Sequence, residues 1–322
     1  MDEVTLGTLL ASTLRVATPL ILCALAGTLS ERAGVIDLGL EGKMLLSAFA
    51  AAAAGVASGS LALALAAAIA VGVSLSMLHG YACVSHRGDQ VVLGMAITMT
   101  AAGLTVVLGA AWFKMGGQSP PLPDAVRLGP LLPGLAEALQ AMPFVGPVLG
   151  LGLLGHDGFV YGALALVAGV WWLLYRTRFG LRLRAAGENP AMVDAAGVSV
   201  LKLRYAALGL NGVLAALAGS YLVLALTPSF IPHMTAGRGY MALAAMIFGK
   251  WHPVGAMAAC LLFGFLEAAA IRLQGVVLPG IGQVPVQAIQ ALPYLLTVVL
   301  LAGFIGRAHA PRALGTPYVK ER

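Results

Sequence analysis

Apolar residues fall along this chain in long runs, near residues 5–29, 35–57, 60–83, 90–113, 158–175, 205–227, 239–249, 254–273 and 284–304. A helix rises 1.5 Å per residue and a bilayer's hydrocarbon core is about 30 Å thick, so about 20 apolar residues make one crossing. An open sheet edge cannot be satisfied in lipid, so the pattern predicts helices throughout: an all-α, polytopic transmembrane bundle of about 8–10 spans. The runs leave no soluble region of domain size, and residues 1–322 read as a single membrane domain. Two stretches break the rhythm. Residues 114–157, rich in Pro and Gly, read as an outer cap over the bundle, and residues 176–204 form the long polar connection.

Composition agrees. Charged residues make up 10% of the chain, against about 25% in soluble domains, which excludes a disordered chain or a soluble enzyme. Cys23, Cys83 and Cys260 are far apart in apolar stretches and form no disulfide framework or zinc cluster. The six histidines have no i, i+4 pair and default to loop positions. The net charge of +6 reads as topology and not as nucleic-acid binding, since membrane proteins concentrate Lys and Arg in cytoplasmic loops. Placing 176–204 in the cytoplasm collects Arg32, Arg87, Arg176, Arg178, Arg182, Arg184, Lys202, Arg204 and Lys250 on that side. The N-terminus is then expected outside and the C-terminus inside. Arg15 falls mid-run, which suggests that residues 5–15 lie at the interface before a span beginning near Pro19.

Two runs are unusual. In "GVIDLGLEGKMLLSAFAAAAAG", Asp37, Glu41 and Lys43 occupy the start and leave only 44–57 as clean apolar helix. "GRGYMALAAMIFGKWHP" offers roughly half a bilayer of apolar length before Gly249-Lys250. Short, interrupted segments often flank a permeation route, because irregular backbone at depth must line a cavity or be buried in protein; the alternative is an oblique packing helix. Ionisable groups at depth need a cavity or a partner. Asp37 and Glu41, at a spacing that puts both on one helix face, are candidates for the translocation path or for structural pairing with Lys43 or Arg32. Asn211 and Glu267 carry the same two readings, with bonds to other helices as the structural one.

Within 176–204, Asn189 can cap a helix through its side chain, Pro190 suits the first turn and Gly197 the left-handed end. A two-turn helix over 190–196 follows. Ala191, Met192 and Ala195 would form its apolar side, while Glu188 and Asp194 offer carboxylates to a partner's basic groups. Basic residues on both flanks suit anchoring at anionic membrane lipid.

"GENPAMVDAAGVSV" resembles the cytoplasmic coupling-helix motif of ABC importer permeases of the branched-chain amino acid, ribose and nucleoside group. "SERAGVIDLGLEGKMLLSAF" and "GRGYMALAAMIFGKWHPVGAMAACLLFGFLEA" are similar to its simple-sugar and nucleoside permeases, which are served by basic-membrane-protein binding lipoproteins. The resemblance implies a type II-like, multi-pass permease of a bacterial inner membrane that is not itself an enzyme. It implies coupling through Glu188, Asn189, Pro190, Ala191, Asp194 and Gly197, and a path for a nucleoside or simple sugar by alternating access. The implied partners are an ABC ATPase subunit, a second related permease in a heterodimer, and an extracytoplasmic substrate-binding lipoprotein, with no nucleic acid. No cofactor is expected on this chain. It has no G-x-x-x-x-G-K-[ST] loop, so ATP and Mg are expected on the partner ATPase. The rival reading is an ion-coupled secondary transporter with Asp37, Glu41 and Glu267 as coupling-ion sites.

Overall fold

The computed structural model describes residues 3–140, 146–273, 277–278, 282–283, 291, 295 and 309–320. Helix α1 (Glu3–Arg32) leads into an irregular turn and α2 (Leu40–Ser58), which Gly59 ends in the left-handed conformation. Helix α3 (Leu61–Gly80) runs on through a π-helical turn, Tyr81–Ser85, to α4 (Gln90–Phe113), capped by the Asp89 side chain. Two short helices, α5 (Pro133–Gln140) and α6 (Gly146–Leu149), precede α7 (Gly158–Arg176), capped by Asp157. Next come α8 (Arg178–Glu188), α9 (Pro190–Ala195) and α10 (Val200–Tyr221), which ends in the π-helical turn Leu222–Leu226. The last helices are α11 (Arg238–Phe248) and α12 (Pro253–Leu273). A two-residue ladder pairs Val277 with Gln283 and Leu278 with Gly282.

Seven of these helices, counted with the π-helical extensions of α3 and α10, are long and apolar enough to cross a membrane. They fall on seven of the nine apolar runs; α11 matches the half-length run, and 284–304 lies outside the described residues apart from Leu295 and Ala291. Helix α1 corrects one expectation. It is continuous through Pro19, and at 30 residues spans roughly 45 Å, so residues 5–15 extend the helix instead of lying apart from it.

The core gathers α1, α2 and α10, with α3, α11 and α12 packed around them. Backbones touch where Gly permits: a Cβ on Gly219 of α10 would collide with the Met44 carbonyl oxygen of α2. Helix α12 runs antiparallel to α1. At one end of the bundle, Arg272 donates to the Thr5 carbonyl at 2.8 Å and to the Thr8 hydroxyl. At the other, Arg32 donates to the carbonyls of Trp251 (2.9 Å) and Lys250 (3.2 Å), and Trp251 Nε1 donates to Glu31 Oε2 at 2.6 Å.

Helices α8 and α9 lie at this second end, where the C-terminal segment straps them down. Ala313 N–H donates to the Gly187 carbonyl and Gly315 N–H to the Gly34 carbonyl, while buried Arg204 bridges the carbonyls of Ala33 and Thr316. At the opposite end, part of 114–157 enters the bundle. Residues 119–128 bond along the segment that leaves α10, through Ser119 N–H to Phe230, Leu122 N–H to Pro228 and Leu128 N–H to Leu224. Leu122 and Val126 are buried there against α2 and α3.

Candidate functional site

The connection 176–204 folds into two helices where the sequence suggested one. Thr177 caps α8 at Gly180 N–H, and the Asn189 side chain accepts from Met192 N–H at 3.2 Å to start α9 at Pro190. Gly197, at φ 79°, closes α9 in the left-handed conformation. The α8 helix escaped the sequence reading because its charges repeat too densely to look like a membrane element; its apolar stripe, Leu183 and Ala186, is nonetheless buried. Val193 holds α9 down, and Ala191, Met192 and Ala195 face outward, with Met192 69% exposed. Glu188 is exposed, whereas Asp194 lies 3.5 Å from Lys320 of the C-terminal strap. A groove of about 550 Å³ runs between α8 and α9, lined by Leu181, Arg182, Ala185, Glu188, Asn189 and Met192.

Asp37 lies in the turn before α2, so it does not share a helix face with Glu41 as the spacing suggested. Lys43 reaches back to it, Nζ to Oδ2 at 2.5 Å, and donates to Asn211 Oδ1 on α10 at 3.1 Å. Asn211 accepts also from Ser76 of α3 and donates to the Ala26 carbonyl of α1. His79 of α3 meets Asp37 Oδ1 through Nδ1 at 3.1 Å. Asp37, Lys43, His79, Asn211 and Ser76 are all fully buried. The knot ties α1, α2, α3 and α10 together through groups that cannot be left unpaired. His79 is the residue sequence reasoning misplaced. A dispersed histidine defaults to a loop, although its position inside the apolar run 60–83 signals a helix.

Glu41 has a different task. Its Oε1 accepts from Gly237 N–H at 2.8 Å and its Oε2 from Gly239 N–H at 2.6 Å, both at the start of α11. A helix beginning at depth presents bare N–H groups and a partial positive charge, and a carboxylate satisfies both. Only Gly fits at 239, where a Cβ would stand 2.6 Å from the Glu41 Cα. Glu267 of α12 meets Arg238 of α11 at 3.4 Å in a half-buried pair. Each of the three acids proposed as coupling-ion sites therefore already has a protein partner, and the ion-coupled reading loses its basis.

The family model described as branched-chain amino acid transport system, permease component, matches residues 9–305. The chain is 37% identical to the guanosine ABC transporter permease protein NupQ of Bacillus subtilis, over 98% of this chain and 97% of that one. It is 35% identical to the nucleoside ABC transporter permease protein NupC of Lactococcus lactis, over 99% and 98%. A putative glucose ABC transporter permease protein of Haloferax volcanii is 33% identical over 94% and 93%.

Proposed function

The chain belongs to the branched-chain amino acid transport permease family, and from that premise we propose the working of its importer in detail. The chain is a multi-pass permease subunit of an ABC importer in the inner membrane, a transport subunit and not an enzyme. Its substrate is a nucleoside: two full-length relatives carry guanosine or nucleoside in their names, at higher identity than the relative named for glucose. A separate ABC ATPase binds ATP and Mg, a binding lipoprotein delivers substrate from outside, and a second, related permease completes the path.

The observation that carries this reading is α9, a capped helix held out with Ala191, Met192 and Ala195 uncovered. Small side chains allow close approach, and Glu188 offers a carboxylate to a basic partner. The chain on either side of α9 carries Arg176, Arg178, Arg182, Arg184 and Lys202, and the positive-inside bias supports this end in the cytoplasm and Glu3 outside. ATP-driven closure of the ATPase dimer would move 188–197, and the tightly tied core would pass that motion to the helices along the path.

The test is a mild-detergent pull-down of the tagged chain from its native membranes, beside uptake of radiolabelled guanosine. An ABC ATPase should co-purify, and the combined substitution Glu188→Arg, Asn189→Ala and Pro190→Ala should release it and abolish uptake while the permease stays inserted. Uptake that survives these changes, or that runs on an ion gradient without ATP, would sink the reading.

A further inference from the structure

Helix α11 is held at both ends. Glu41 meets its start, and at its finish the chain turns into α12 through Lys250 and Trp251, left-handed at φ 56° and 53°. Residues with side chains avoid that conformation, and two in succession persist only where the surroundings impose it. Here the end of α1 imposes it. The guanidinium fork of Arg32 donates to the Lys250 carbonyl at 3.2 Å and to the Trp251 carbonyl at 2.9 Å. Glu31 accepts the Trp251 indole N–H and pins that buried ring. Gly249 meets Gly255 and Ala256 backbone to backbone, with no room for a Cβ, so the turn joins α11 and α12 into one hairpin. On its other side Arg32 meets α8. Gly187, just before Glu188, lies so close to the Arg32 carbonyl that a Cβ there would collide with it. A second contact runs alongside: the Arg184 guanidinium of α8 lies 4.6 Å over the Tyr175 ring, and that ring meets the His252 ring at 5.0 Å. Both lead from α8 to the same turn.

We propose that Arg32 is the positioning residue through which movement of α8 and α9 reaches α11. The inference rests on the docking reading above. Closely packed backbones have no slack to absorb a displacement, so a shift of α8 is passed to the end of α1 at the Gly187 contact. There it moves the guanidinium relative to the turn it holds. Released from Arg32, the left-handed pair relaxes and the α11–α12 hairpin is free to tilt. The strained turn thus supplies what transmission between distant sites requires, an element with two arrangements that a remote event can bias. The length of α11 suits the task. Its 11 residues span about 16 Å, so a tilt about its cytoplasmic end is felt beside Glu41, roughly halfway through the bilayer. An arginine that only capped the helix end would stabilise the fold without this consequence.

The experiment places the assembled transporter, with its ATPase and binding lipoprotein, in liposomes and measures phosphate released against guanosine taken up. Arg32→Met should keep the ATPase bound and hydrolysing while uptake falls, so that ATP hydrolysed per guanosine rises about tenfold. Arg32→Lys, which returns a cation within reach of the turn, should bring that ratio partway back. A residue that merely held the fold would lower both rates together and leave the ratio as it was. Lys250→Gly decides the matter if Arg32→Met does not assemble. It keeps the bonds to Arg32, which go to backbone carbonyls, and removes the strain at position 250, so the turn can flex and absorb the push. This variant should melt no lower than the wild type and still raise the ratio. An unchanged ratio in assembled Arg32→Met, or in Lys250→Gly where the former cannot be made, overturns the proposal. If the wild type holds no ATPase or takes up no guanosine, the functional reading itself falls and takes the proposal with it.

Discussion

Helices α10 and α4 are both apolar enough to cross a membrane, yet 78% of the apolar stretch of Val200–Leu226 is buried within the protein and only 22% of that of Gln90–Phe113. The more buried helix is the more polar. Helix α10 carries Arg204, Asn211 and Ser220, all buried, while α4 turns Val92, Met99 and Val107 outward. Lipid accepts a uniformly apolar helix, so polar groups are admitted only where protein surrounds them. In this bundle polarity therefore marks the inside.

The sharpest way to break that contrast is Lys43→Met, which leaves Asp37 short of its cation in the interior. Removing one member of a buried pair costs about 3–5 kcal/mol. The purified variant should unfold far below the wild-type temperature, and Lys43→Met with Asp37→Asn should recover much of the loss. Gly219→Ala comes next, at about 1–3 kcal/mol, since its Cβ would meet the α2 backbone. At the periphery the same change reverses sign: Gly103→Ala on α4 has open space around it and should stabilise by up to about 1 kcal/mol. Equal thermal shifts for the two would erase the distinction between core and lipid-facing helices.

Glu41→Gln keeps the shape but loses the charge at the start of α11, which should cost about 1–2 kcal/mol and slow transport, read by thermal unfolding and uptake. The smallest effect on stability is expected for Asn189→Ala, about 1 kcal/mol from the lost cap. Its effect on uptake should exceed its effect on unfolding, because α9 is surface structure and the proposed ATPase docks on it.

Legibility in the sequence followed the range of each interaction. The spans were readable because length and apolarity are local, and α9 because Asn189, Pro190 and Gly197 act within one short stretch. The half-length of α11 was readable for the same reason. What escaped depends on distant chain. Glu41 finds its partners 196 and 198 residues later, and His79 meets Asp37 42 residues away. The strap over α8 joins Ala313 to Gly187. A carboxylate at depth announces that it needs a partner without saying which, so Asp37, Glu41 and Glu267 suggested ion sites until their companions were located.

The meeting of Glu41 with the start of α11 has an electrical consequence. Moving one elementary charge across the membrane potential is worth about 2.3 kcal/mol per 100 mV. The described interior matches Asp37 with Lys43, and the Glu41 carboxylate with the positive end of a helix about 16 Å long. An alternating-access cycle that keeps these groups at one depth moves none of their charges through the membrane potential. Import of an uncharged solute through this protein should then run at the same rate whether the membrane is polarised or not.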